Sequence, residues 1–223
     1  MKRNARLSKT LKYLAEALVK HGWDPKRTSL GLDSIRRPAI NIEQHVMLNV
    51  IKKTRDGTFF QPCLGVRFPP LSDLRSELWE ANKAADALDF FIVAWRLDEE
   101  KPYDPFDWFI TNYESEAALL ERCESMLADV LKIANRSNIF ETLESIERFV
   151  SYVEQTVHRN SRASPSSYLL ALLHLERFDE AAELANDEIR RLEPFARESK
   201  NIVDVQIIEF YQNIVDYQSK GSA

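Results

Sequence analysis

Apolar residues recur near the start of the chain at Leu7, Leu11, Leu14 and Leu18, spaced 4, 3 and 4. That spacing lines one stripe of an amphipathic helix, and Gly22 supplies a C-terminal stop. After a loop containing Pro25, two segments alternate with strand character, HVMLNVIKKT and TFFQPCLGVRF, joined by Arg55-Asp56-Gly57. Asp-Gly between such runs predicts a hairpin. In the second run Phe60, Leu64, Val66 and Phe68 fall on one face, with Gln61 and Arg67 on the other, and Pro62 predicts an edge strand or a bulge. SLGLDSI is a candidate for one more strand ahead of the hairpin.

Residues 71–87 read as a short helix that buries Leu74, Leu78 and Trp79. The period then returns toward two in ALDFFIVAWRL, a predicted central strand of the same sheet. From residue 112 the pattern is helical. Leu119, Cys123, Met126, Val130 and Ala134 form one stripe, with Thr111 and Glu114 spaced for a capping box. Ile139, Leu143, Ile146, Val150, Val153 and Val157 form another. SRASPSS, 161–167, is a linker or corner, followed by helical stretches near 166–176, 179–193 and 201–218. Strands followed by helices predict an α+β protein: an N-terminal helix, an antiparallel sheet with a hairpin, then an all-helical C-terminal half. The expected organisation is an α+β domain over 1–160 with a helical extension, 164–223, docked on it.

Composition adds little to that outline. The 223 residues are 44% hydrophobic and 29% charged, ordinary for a soluble globular chain. LDFFIVAW, 88–95, is far short of a membrane span, and Lys12, Glu16 and Lys20 interrupt any signal-peptide core. Two cysteines, Cys63 and Cys123, provide no disulfide framework, which points to a reducing, cytoplasmic setting. Charge is unevenly spread. Residues 1–37 hold ten basic and three acidic residues, +7, so the remainder carries -12 of the net -5. A solvated helix face explains the basic end better than a nucleic-acid footprint, because no binding motif or interleaved stacking aromatics accompany it.

Candidate chemistry is sparse. The five glycines form no GxGxxG or phosphate loop, the four histidines have no zinc spacing, and no GxSxG elbow exposes a serine. Glu43, His45 and Cys63 could approach one another across neighbouring strands, but sheet polar residues beside a buried thiol are the simpler reading. No metal site, cofactor or catalytic residue is assigned. The remaining feature is EEKPYDPFDWF, 99–109. Glu99, Glu100, Tyr103, Asp104 and Asp107 are candidate partner-binding residues, while Phe106, Trp108 and Phe109 are candidate anchors that turn inward to plug the end of the sheet.

The order helix, HGW, loop, hairpin ending LGVRFPP, strand DFFIVAW, a Trp-containing loop and the helices around FETLESIERFVSYV resembles a family of small bacterial proteins known as a domain of unknown function, over about residues 5–157. The resemblance implies an α+β fold and carries over no site residue. LLALLHLERFDEAAELANDEIRRLEP, 169–194, is similar to a single tetratricopeptide helical hairpin, with Phe178 and Ala181 at the turn-aromatic and small-contact positions, Glu176 where the turn glycine usually stands, and Pro194 closing the second helix. One such unit lacks the stacking neighbours a repeat array needs.

Together these features point to a non-enzymatic protein-interaction module with a basic protein as partner. A toxin-neutralising immunity protein is its most concrete form, by analogy with a class that is small, acidic and poor in motifs. The competing readings are a metal-dependent hydrolase using the acidic segment, and nucleic-acid binding through the basic N-terminus.

Overall fold

The structure, a computed structural model, describes residues 2–79, 88–94, 97, 108–113, 115–156, 165–199 and 202–221. In chain order these form helix α1 (Lys2–Lys20), strands β1 (Asp24–Arg27), β2 (Gly31–Ala39), β3 (Ile42–Lys53) and β4 (Gly57–Arg67), helix α2 (Pro69–Leu78), and strands β5 (Phe90–Val93) and β6 (Phe109–Thr111). Six further helices follow: α3 (Glu116–Arg136), α4 (Ile139–Thr142), α5 (Ile146–Thr156), α6 (Pro165–His174), α7 (Phe178–Ser199) and α8 (Ile202–Gly221). This is an α+β fold. The chain divides into two compact units, one of Met1–Val66 with Phe91–Thr142, the other of Arg67–Phe90 with Leu143–Ala223.

In the first unit, Leu11, Leu14, Ala17 and Leu18 of α1 are buried, and the helix lies against β1, β2 and α3. It ends in a Schellman motif: Gly22, at φ +79°, donates its N–H to Val19 O and the Trp23 N–H reaches Leu18 O. The antiparallel sheet runs β1-β2-β3-β4-β5, with β6 also paired to β4. Leu32 and Ser34 of β2 stand opposite Leu48 and Val46 of β3, and all four are almost fully buried.

Several sequence expectations change here. The Pro25 loop is strand β1, recruited by backbone pairing of Asp24–Arg27 with Leu32–Ile35 although it has no apolar pattern. β4 is not an edge strand: β3 lies on one side, β5 and β6 on the other, and Pro62 is buried within it. β5, expected to be central, terminates the strand order. The cap of α3 is Ser115, whose hydroxyl accepts from the Ala118 N–H, because Thr111 is held in β6. The stripe from Ile139 onward is split into α4 and α5, and Ser145 accepts the Arg148 N–H at the restart.

In the second unit, α6 is the hub, with Leu169, Leu170, Ala171, Leu172 and Leu173 all buried and with α2, α5, α7 and α8 against it. Rings pair around this core: Phe68 with Phe149, Phe90 with Tyr152, and Trp79 stacked on Phe210. Instead of Leu74, the buried side of α2 carries Leu71, Ser72, Arg75 and Leu78. α7 runs through Pro194 to Ser199. Proline costs one helical hydrogen bond there, but α8 packs along the helix and holds it.

α6 closes with the same Schellman geometry as α1. The Glu176 N–H donates to Leu173 O and the Arg177 N–H to Leu172 O, with Glu176 at φ +59°. A side chain at a left-handed position costs about 1–2 kcal/mol that glycine avoids. Glu176→Gly should therefore raise unfolding stability by about 1 kcal/mol, read as a higher denaturant midpoint with an unchanged slope.

Arg75 and Asp89 form a buried ion pair. Nη2 lies 2.6 Å from Asp89 Oδ1 and 2.9 Å from Ser167 Oγ, while Asp89 Oδ2 accepts the Phe68 N–H at 2.7 Å. Burial pushes the Asp89 carboxyl above its ordinary value, opposed by Arg75 and the Phe68 N–H. Arg75→Met would strand a buried carboxylate and should cost about 3–5 kcal/mol, whereas Arg75→Met with Asp89→Asn, which keeps an acceptor for Phe68, should recover most of it. The single variant's folded state binds a proton that the unfolded chain has released, so its stability should fall as pH rises above 3.8. Denaturant melts across pH, showing that slope in the single variant and its loss in the double, check this.

Candidate functional site

The acidic, aromatic segment ends where β6 begins, and its last residues are firmly anchored. Trp108 is 6% exposed, and Phe109 packs on Phe59 with ring centroids 4.5 Å apart. The Asn112 N–H and the Thr111 hydroxyl both donate to Asp56 O, at 2.7 and 3.0 Å, and the Tyr113 hydroxyl reaches Asp56 Oδ1. The hairpin turn thus also holds the chain that leaves the acidic segment. Gly57 permits this approach, since a Cβ there would strike Ile110 O and the Phe109 ring. Glu99, Glu100, Tyr103, Asp104, Phe106 and Asp107 lie outside the described residues.

The sheet brings together a polar group that alternation only partly foretold. Register sets Asp33 opposite Met47 and Ile35 opposite His45, which puts Asp33 and His45 on one face. His45 Nδ1 lies 3.0 Å from Asp33 Oδ1, its Nε2 is 3.8 Å from Glu43 Oε2, and Glu43 Oε1 accepts from Arg37 Nε at 2.7 Å. Anion, imidazole, anion and cation follow one another across two strands. His45 and Glu43 are buried, and no substrate atom has access to Nε2. The carboxylates face opposite ring nitrogens, so no single point lies within ligand distance of all three side chains. Among the described residues no group of three or more His, Cys, Asp or Glu side chains is placed to hold a metal ion.

Cys63 does not join that group. Its Sγ is fully buried beside Asn49 Nδ2 and Gln61 O, and burial pushes the thiol up to about 12. A thiol so placed is inert as a nucleophile at neutral pH. Reading the sequence for surface chemistry missed Asp33 and Arg75. Arg75 could have been found from Leu71, Arg75 and Leu78, spaced 4 and 3, which set a cation in the middle of an apolar stripe.

Comparison with protein-family models, curated proteins and solved structures gives no match to this chain. No described helix is long and apolar enough to cross a membrane.

Removing the Trp108 ring would leave a cavity where a large buried side chain now stands. Trp108→Ala should cost about 3–5 kcal/mol of unfolding stability, and a denaturant melt within about 1 kcal/mol of the parent would overturn the anchoring role.

Proposed function

We propose that the protein is a non-enzymatic cytoplasmic interaction module whose acidic segment receives a basic protein, as a toxin-neutralising immunity protein would. The observation that supports this reading is how the basic N-terminal end uses its charge. Among the described residues, Lys9 pairs with Glu116, Lys12 with Glu16, Lys20 with Glu124 and Arg37 with Glu43, while Arg27 and Arg36 are hydrogen-bonded to Ser8 and Gln44. Arg36 also sits 4.8 Å over the Trp23 ring. Exposed pairs of this kind add little stability, but they spend the positive field locally. Four of the cations that nucleic-acid binding would use are thereby spent on carboxylates, and the net charge of -5 favours encounter with a basic surface.

Within this reading Tyr103 provides contact area and Glu99, Glu100, Asp104 and Asp107 steer association. Asp104→Asn with Asp107→Asn should weaken capture of the partner while leaving stability within about 0.5 kcal/mol. Co-purification from the native host, followed by pull-down with the double variant, measures both. Absence of a stoichiometric protein partner, or undiminished capture by the variant, would overturn the reading.

A further inference from the structure

One end of the first unit's sheet gathers the turn between β1 and β2, the β3–β4 hairpin turn and the end of β6. The Val50 N–H donates to Leu30 O, Gly57 pairs with Thr111, and Asn112 Nδ2 donates to Arg55 O, so the three segments lie side by side. From β2 to β6 that end spans three strand spacings, roughly 14 Å. Both turns are braced by a threonine: the Thr28 hydroxyl accepts from the Leu30 and Gly31 N–H groups, and the Thr54 hydroxyl from those of Asp56 and Gly57. Large apolar side chains point outward here, with Leu30 61%, Ile51 51% and Tyr113 70% exposed. Among them stand Lys52, Lys53 and Arg55, all exposed. Among the described residues none of these three side chains is engaged in an ion pair or a hydrogen bond. The carboxylate of the hairpin turn, Asp56, accepts the Tyr113 hydroxyl, so the tip carries three cations against one anion.

We propose that this end of the sheet docks, tip first, on an anionic lipid bilayer. Strand alternation sets Lys52 on one face of β3 and Ile51 and Lys53 on the other. Cations therefore flank the tip on both sides, which suits an end-on approach to a charged surface and not a partner laid on either face. Leu30 and Ile51 protrude, and a bilayer closes around a protruding side chain where a rigid partner must already hold a matching cavity. A nucleic acid would use the cations and stack on one ring, but it gains nothing from two bared aliphatic side chains. Tyr113, an apolar ring with a polar end, suits the headgroup level. The braced turns lose little freedom on docking. The net charge of -5 opposes a distant approach, but screening confines that repulsion to about 8–10 Å, so the tip meets the headgroups first. No described helix is able to span, so the contact is peripheral, and it lies at the end of β6 away from Phe109, where the acidic segment enters.

The test uses the full chain and vesicles of phosphatidylcholine with or without phosphatidylserine, read by co-sedimentation. Binding should require phosphatidylserine and weaken with added salt. Lys52→Ala and Lys53→Ala should each lower the partition coefficient about fivefold, and Lys52→Glu with Lys53→Glu should abolish binding. Leu30→Ser and Ile51→Thr should each lower it about fivefold as well. All these positions are exposed, so thermal melts of the variants should match the parent. Absence of vesicle binding, equal binding without phosphatidylserine, or an unchanged partition coefficient in either the lysine or the aliphatic variants overturns the proposal. So does a single-stranded oligonucleotide that binds more tightly than the vesicles and depends equally on Lys52 and Lys53, which would make the tip a nucleic-acid contact.

Discussion

The second unit depends on the buried pairing of Arg75 with Asp89. Helix α2, the residues leading into β5 and helix α6 are far apart in the chain, and all three meet at one guanidinium through Arg75, Asp89 and Ser167. Such a pair is not a source of large net stability, because removing two charges from water costs as much as their attraction returns. Its effect is geometric. Any arrangement that separates the partners leaves a charge in an apolar interior, so the surrounding ring pairs, Phe68 with Phe149 and Trp79 with Phe210, are held to the register that keeps them together. The apolar side chains provide the driving force, and the ion pair selects among the ways they could pack.

The first unit handles buried polarity differently. On one face of β2 and β3, Leu32, Ser34, Val46 and Leu48 build an ordinary core. On the other, Asp33, His45, Glu43 and Arg37 follow one another in a line that ends at a half-exposed cation. Arg37 holds the Glu43 carboxylate and Asp33 holds His45 Nδ1, which is how a strand can bury Glu43 and His45 side by side. That mutual engagement also explains why residue types common in active sites serve here as structure. Their reactive atoms face one another.

What the sequence determined by itself is the set of repeating local preferences. Leu7, Leu11, Leu14 and Leu18 specify α1, Asp56-Gly57 specifies the hairpin, and the stripe through Leu119, Cys123 and Met126 specifies α3, because each depends on residues within a few turns of one another. The inward setting of Trp108 could also be reasoned from its place between a strand and a helix, although most of the acidic segment lies outside the described residues. Tertiary structure decided what depends on a distant partner. Polar β1 is a strand only because β2 offers its backbone, Ser115 rather than Thr111 caps α3 because β6 claims Thr111, and α7 passes Pro194 because α8 supports it. Arg75 meeting Asp89 and Ser167, and Asp33 meeting His45, belong with these. A period can set Arg75 or His45 on a buried face, but which residue each meets there, and so the free energy of burying it, is set by neighbours that only the folded chain supplies.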